Sequence, residues 1–255
     1  MKGITICVGY DDLLEITLVR NMRHLSECVV VTHPDDQRTK DVVSKVPGAK
    51  VFETDAFYRH GAKFNKGLAM EEGFDALGRD GWIIVFDADT LLPERLSLHR
   101  LNQSTLYSAR RLVLQDPLSW TPSFEWSQLS PIKDVCFAGY FHLFHADDSH
   151  IKKRPWYDVT FTHAGGGDGY FQSRWTPAEK VYLPFYVLHL GPHDTNWCGR
   201  ISPRRDGAII DKLADHDKDM RLLVRTKGWR GERPSPGEFN EHVDVPGHSP
   251  TGFKP

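Results

Sequence analysis

The stretch Phe86-Asp87-Ala88-Asp89 places two carboxylates, one residue apart, directly after the apolar run Trp82–Phe86. In an open parallel sheet, ligands bind beyond the carboxyl ends of the strands. Two acids at the end of a buried strand call for a counter-charge. A divalent cation bridged to a phosphate supplies one, and hard oxygen donors suit Mg²⁺ or Mn²⁺. The plainer reading is a solvated turn in which Asp89 caps a local helix. A second cluster, Gly165-Gly166-Gly167-Asp168, combines glycines that let backbone approach a ligand closely with an acid that opens a helix. On the residues alone, Asp168 reads as a cap of that helix.

The elements that must carry these residues alternate over the first ninety positions. Ile4–Val8 is a continuous apolar stretch, as in a strand covered on both faces. Asp11 or Asp12 is placed to cap a helix with Leu14, Leu18, Met22 and Leu25 on one stripe. Cys28–Thr32 and Ala49–Phe52 read as further strands. Phe64 to Leu77 reads as a helix stopped by Gly78, and Trp82–Phe86 as a fourth strand. Strand–helix alternation at this spacing implies a mostly parallel sheet flanked by helices. Beyond Pro93 the pattern loosens. Strands are expected at Tyr107–Leu114, Val135–Phe144 and Val181–Leu190, and a helix over Asp206 to Arg225. From Gly228 a surface tail rich in Gly, Pro and His is expected. The division is therefore 1–93, 94–227 and 228–255.

Two stretches, Lys66-Gly67-Leu68-Ala69-Met70-Glu71-Glu72-Gly73-Phe74 and Gly81 through Pro93, resemble the GT-A glycosyltransferases, above all the large inverting family two. The likeness covers residues 3 to about 93. It implies an α/β, GT-A (Rossmann-like) fold: a single domain with a nucleotide-binding and an acceptor half. It also implies a nucleotide-sugar donor. By position Asp36 would contact the base or ribose, although Pro34-Asp35-Asp36-Gln37 replaces that family's Asp-Asp-Gly-Ser. Arg59 and Lys66 would offset diphosphate charge, Asp87 would touch ribose or metal, and Asp89 would bind the metal. Asp168 matches the family's general base, with Gly167 in the slot of its neighbouring Glu. His189, in Val187-Leu188-His189-Leu190-Gly191, resembles the third metal ligand, with His193 as runner-up. Imidazole with two carboxylates is a reasonable Mn²⁺ site.

Composition excludes other classes. The 255 residues carry 32 Lys and Arg against 34 Asp and Glu, a formal net charge of −2. Neither a nucleic-acid binder nor a membrane-surface protein is announced by that balance. No apolar run reaches the roughly 20 residues of a membrane span. The four cysteines form no CxxC pair and fit a reducing cytoplasm. His142 and His145 lie three apart on a strand, on opposite faces, and make a poor chelate. Trp120, Trp126, Trp156, Tyr157, Trp175 and Trp197 could form a stacking platform for sugar or base. The segment Asn196-Trp197-Cys198-Gly199-Arg200 could fold over the donor. The cations from Arg200 to Arg233 could follow a phosphate backbone, but the acids between them favour a solvated helix.

The sequence thus reads as a metal-dependent, inverting hexosyltransferase using a UDP-sugar and Mn²⁺ or Mg²⁺. A nucleotidyltransferase normally has a basic glycine-rich loop after its first strand, and Gly9-Tyr10-Asp11-Asp12 is acidic instead. A non-catalytic nucleotide- or sugar-binding module of the same fold stays as the alternative. Glycan hydroxyls and a modified nucleic-acid base both stay open as acceptors.

Overall fold

In the computed structural model, residues 1–132, 137–191, 200 and 204–206 are described. The strands are β1 (Lys2–Ile6), β2 (Glu27–Thr32), β3 (Ala49–Glu53), β4 (Trp82–Phe86), β5 (Thr90–Leu91), β6 (Leu106–Leu114), β7 (Phe141–His145) and β8 (Lys180–Leu190). The helices are α1 (Asp11–Asn21), α2 (Gln37–Val43), α3 (Lys66–Leu77) and α4 (Gly167–Gln172). One sheet holds all eight strands in the order β3-β2-β1-β4-β7-β6-β8-β5. The first four strands pair in parallel, as do β6 and β8. Only β5 and β7 run against the rest. This is the mostly parallel α/β arrangement expected of a GT-A-like fold. The sheet is continuous across residue 93, because β7 lies directly beside β4.

Period-two alternation sends each strand's side chains to two different cores. Ile4, Val29, Val31, Ile83 and Val85 pack with Leu68 and Phe74 of α3. Cys28, Val30, Ile84 and Phe86 pack with Leu14 and Leu18 of α1 and Val42 and Val43 of α2. Burial on both faces explains why these strands read as unbroken apolar runs. Cys7 and Cys28 are buried free thiols. Among the described residues no helix is long and apolar enough to cross a membrane.

The structure departs from the expected elements in places. The N-cap of α1 is Tyr10, and Asp11 and Asp12 occupy the first turn instead of capping it. The strand expected over Val135–Phe144 is the shorter β7, while 133–136 lie outside the described residues. The two-residue strand β5 has no counterpart in the sequence reading. The helix expected over Asp206 to Arg225, apart from Asp206, and the tail from Gly228 also lie outside the described residues.

Candidate active site

The carboxyl end of β4 is held rigidly by α1. Thr17 Oγ1 donates to the Ala88 carbonyl at 2.7 Å and Asn21 Nδ2 to the Thr90 carbonyl at 2.8 Å. The Leu92 N–H returns a bond to Asn21 Oδ1 at 2.9 Å. All three bonds are buried, so the turn carrying Asp87 and Asp89 is fixed at both ends. The pairing of β5 with β8 then sets Thr90 opposite His189 and brings the imidazole beside Asp89. His189 Nε2 lies 3.4 Å from Asp89 Oδ2. Its Nδ1 is 3.2 Å from the Gly191 carbonyl, which can only accept, so Nδ1 carries a proton and Nε2 faces the acid. A backbone carbonyl that holds one ring nitrogen, so that the other is presented forward, is how metal-binding histidines are usually oriented.

Asp89 is buried, and its Oδ1 has no hydrogen-bond partner. Burial pushes its carboxyl up; His189 opposes this and the Asp87 charge adds to it. An unsatisfied, desolvated carboxylate oxygen is costly unless a cation meets it.

The opposing wall is the start of α3. Asn65 caps that helix, accepting from the Leu68 N–H at 2.9 Å, and anchors the neighbouring loop through Nδ2 to the Val159 carbonyl. Gly67 lies so close to this loop that a Cβ would fall 2.0 Å from the Asp158 carbonyl oxygen. The result is that Lys66 points at the β4 rim, with Nζ 2.9 Å from Asp87 Oδ1. Burial would lower the Lys66 pKa, but the charges of Asp87, Asp168 and Asp89 outweigh it and hold the ammonium protonated.

Asp168 stands in the first turn of α4, after Gly166, whose φ of 88° needs a glycine. Its carboxylate rests against Gly139, where a Cβ would be 2.1 Å from Oδ1. That Oδ1 is a buried acceptor with no hydrogen-bond partner. Behind it, His142 Nε2 donates to the Phe137 carbonyl at 2.9 Å, and Nδ1 lies 3.1 Å from the Tyr157 hydroxyl. Burial lowers the His142 pKa, so this ring is a neutral wall and not a counter-charge.

Among the described residues, three carboxylates thus share one ammonium. The deficit of about two charges, the hard oxygen donors and the forward-facing imidazole fit a divalent cation. Asp89 and His189 would hold it, with Asp87 beside them. Among the described residues no three His, Cys, Asp or Glu side chains are grouped to enclose such an ion, and Asp87 is paired with Lys66.

The other residues singled out in the sequence lie as follows. Asp36 caps α2: Oδ1 accepts from the Thr39 N–H, and Oδ2 accepts from the Gly9 N–H at 2.8 Å and the Thr39 hydroxyl at 2.7 Å. Arg59 is paired with Glu72 at 2.8 Å and with Asp55. Gly167 is the first residue of α4, and Tyr157 Cδ1 would be 3.8 Å from its Cβ. Trp197 and His193 lie outside the described residues. The aromatic platform divides: Trp156, Tyr157 and Trp175 are buried core residues, so they offer no stacking face. His142 and His145 do lie on opposite faces of β7, one against Phe171 and the other against Trp82.

Sequence reasoning passed over what Asp11 and Asp12 do. Arg204 forms a two-pronged pair with Asp11 at 2.6 and 2.7 Å. Arg200 pairs with Asp12 and lies 4.8 Å above the Tyr10 ring. Both arginines are buried, so neither is part of a surface track for a phosphate backbone. Arg200 anchors the chain beyond β8 to the turn after β1. Two adjacent acids opening a helix, set against a distant run of arginines, were the available signal.

No family model matches the chain, and no curated protein matches it. Among solved structures, mannosyl-3-phosphoglycerate synthase from Rubrobacter xylanophilus superposes with a TM-score of 0.47 at 12% identity, over 93% of this chain and 77% of that one. The inositol-1-phosphate CTP transferase from T. maritima gives 0.45 at 10%, over 76% and 91%. The glycosyltransferase GlyE of Streptococcus pneumoniae gives 0.42 at 12%, over 88% and 64%. Likenesses at this level carry no functional argument.

Proposed function

We propose that the chain is a metal-dependent glycosyltransferase that moves a hexose from a nucleotide diphosphate sugar, a UDP-sugar, to an acceptor hydroxyl with inversion. The observation that carries the reading is the excess of negative charge at one rim: Asp87, Asp89 and Asp168 around Lys66, with an orphaned oxygen on Asp89 and another on Asp168. A substrate diphosphate with its cation completes such a rim, whereas a purely structural acid cluster would be fully hydrogen-bonded.

Asp89 and His189 would hold Mn²⁺ or Mg²⁺, with Asp87 shared between the ion and the ribose. The ion, when bound, supplies Lewis-acid stabilisation of charge on the leaving diphosphate. Lys66 adds a fixed positive charge to the same rim. Asp168 accepts the proton of the acceptor hydroxyl as that oxygen bonds to the anomeric carbon. The anomeric carbon–oxygen bond to the diphosphate breaks, and its electron pair leaves with the diphosphate. A sugar hydroxyl is a poor nucleophile until this proton is taken, a gain of typically 10²–10⁴-fold. One displacement inverts the anomeric centre. The reading also places the protein in the cytoplasm, where such donors and reduced thiols occur together.

The test is a panel of nucleotide sugars incubated with protein and Mn²⁺, with and without EDTA, following release of the nucleoside diphosphate. Release from one donor that EDTA abolishes supports the reading. Donor binding without turnover on any acceptor panel would favour the non-catalytic module, and metal-independent release would overturn the site assignment.

A further inference from the structure

A cavity of about 230 Å³ opens at the C-terminal end of α1, lined in part by Leu91 and Leu92, which follow the turn that carries Asp87 and Asp89. One wall is aromatic: Trp120, Phe124 and Trp126, which follow β6 and pack on Leu91, Leu112 and Leu188. The other wall is cationic: Arg20, Arg23 and His24. His24 Nε2 bonds the Pro93 carbonyl at 2.8 Å and closes the floor, with Glu94 the one acid on the lining.

The charges here are unbalanced. Arg20 and Arg23 sit three apart on the last turn of α1 and the short helical turn after it. Neither has a carboxylate within ion-pair distance among the described residues. Arg20 instead lies 4.4 Å over the Trp120 ring and reaches back to the Ile16 carbonyl at 3.5 Å. Its pKa is lowered by burial first and then by the Arg23 charge. The helix end offers only partial negative charge, and it serves both arginines at once. A half-buried guanidinium with a like charge beside it, facing indole rings, is an arrangement that a ligand anion would complete. Guanidinium groups bind carboxylate and phosphate through two parallel N–H bonds, and indole faces stack on rings. The volume lies below the roughly 300 Å³ at which pockets for larger ligands begin, leaving space for one ring.

We infer that this cavity is a binding site for an anionic sugar, a single pyranose ring bearing a phosphate or a carboxylate, held by Arg20 and Arg23 and stacked on Trp126 and Trp120. None of Asp87, Asp89, Lys66, Asp168 and His189 lines this cavity, and the inference does not depend on the proposed transfer reaction. Phosphate and uronate forms share the chemistry, so the experiment compares them. Indole N–H resonances of ¹⁵N-labelled full-length protein are followed during titration with glucose 6-phosphate, glucuronate, uncharged glucose and inorganic phosphate. The Trp120 and Trp126 signals are assigned through W120F and W126F.

Saturable shifts of those two signals are expected with one or both anionic sugars. Glucose and inorganic phosphate should each bind at least tenfold more weakly. R23Q, an exposed position whose loss leaves the core untouched, should weaken the anionic sugar at least fivefold. D89N should leave this affinity unchanged while removing the metal site, so the two proposals fail separately. The inference is overturned if neither anionic sugar shifts the two signals, if glucose binds as well as the anions, or if R23Q binds as the wild type does.

Discussion

Replacing Gly67 by alanine distinguishes a packing requirement from a helix-propensity effect, because the two have opposite signs. An added Cβ would stand 2.0 Å from the Asp158 carbonyl oxygen, where ordinary contact begins at 3.4 Å, a shortfall of about 1.4 Å. The obstructing atom is backbone and cannot rotate away. Its loop is tied to the start of α3 by Asn65 Nδ2 to Val159 O and by the Lys63 and Phe64 N–H groups to Thr162 O. Overpacking of this kind costs about 1–3 kcal/mol. Glycine to alanine inside a helix returns about 1 kcal/mol. With rigid backbone as the obstacle, the upper part of the overpacking range applies, and a net loss of about 1–2 kcal/mol is expected. Urea unfolding followed by far-UV circular dichroism measures it. Gly169, inside α4 with open space around its Cβ position, is the control and should gain from the same substitution. Since Gly67 neighbours Lys66 and the loop that leads to Asp168, G67A should also lose transfer activity. An alanine variant at 67 as stable as the wild type, or more so, would refute the close-approach argument.

Asp168→Asn should lower transfer by about 10²–10⁴-fold and leave donor affinity within twofold, since it removes only a proton acceptor; equal losses in both, read from kcat and from donor titration, would make Asp168 a donor-binding residue. For Asp12, burial pushes the carboxyl up, but hydrogen bonds from Arg200 and the Arg205 N–H outweigh this and hold it below its ordinary value. Its contribution is therefore complete above the unfolded pKa of about 3.9 and is lost as pH falls through the lower folded value. The difference in urea midpoint between wild type and D12N should be wide at pH 6 and close towards pH 3, and a pH-independent difference would contradict the pairing.

Much of the first half was legible because its signals are local. Trp82–Phe86 is a strand at the expected boundaries, and the acids after it stand at a sheet rim. Gly78 ends α3 where expected, because a positive-φ glycine is a property of a short segment, while the Asn65 cap starts the helix at Lys66, two residues after the expected Phe64. What escaped were pairings between distant segments. Nothing near Asp11 and Asp12 in sequence announces Arg204 and Arg200, which meet them across more than 180 residues. Likewise β5 exists only because β8 arrives beside it, and two residues carry no periodicity to detect. The aromatic residues misled for a related reason: Trp156 and Trp175 find buried acceptors for their indole N–H groups in the Ile151 carbonyl and Asp148, which lets them sink into the core. Asp36 was visible as a polar residue at a strand end, and its cap on α2 through the Thr39 N–H is local; the bond it accepts from the Gly9 N–H, brought in from the turn after β1, was not legible.

A cation held at the Asp89–His189 pair is what the proposed chemistry requires first. Titration of Mn²⁺ into the protein with UDP present, read as loss of the free-ion electron paramagnetic resonance signal, tests that directly. One ion bound per chain in the wild type, weakened at least tenfold in both D89N and H189A at unchanged circular dichroism, is the predicted result. Mn²⁺ binding equal in wild type and both variants would contradict it.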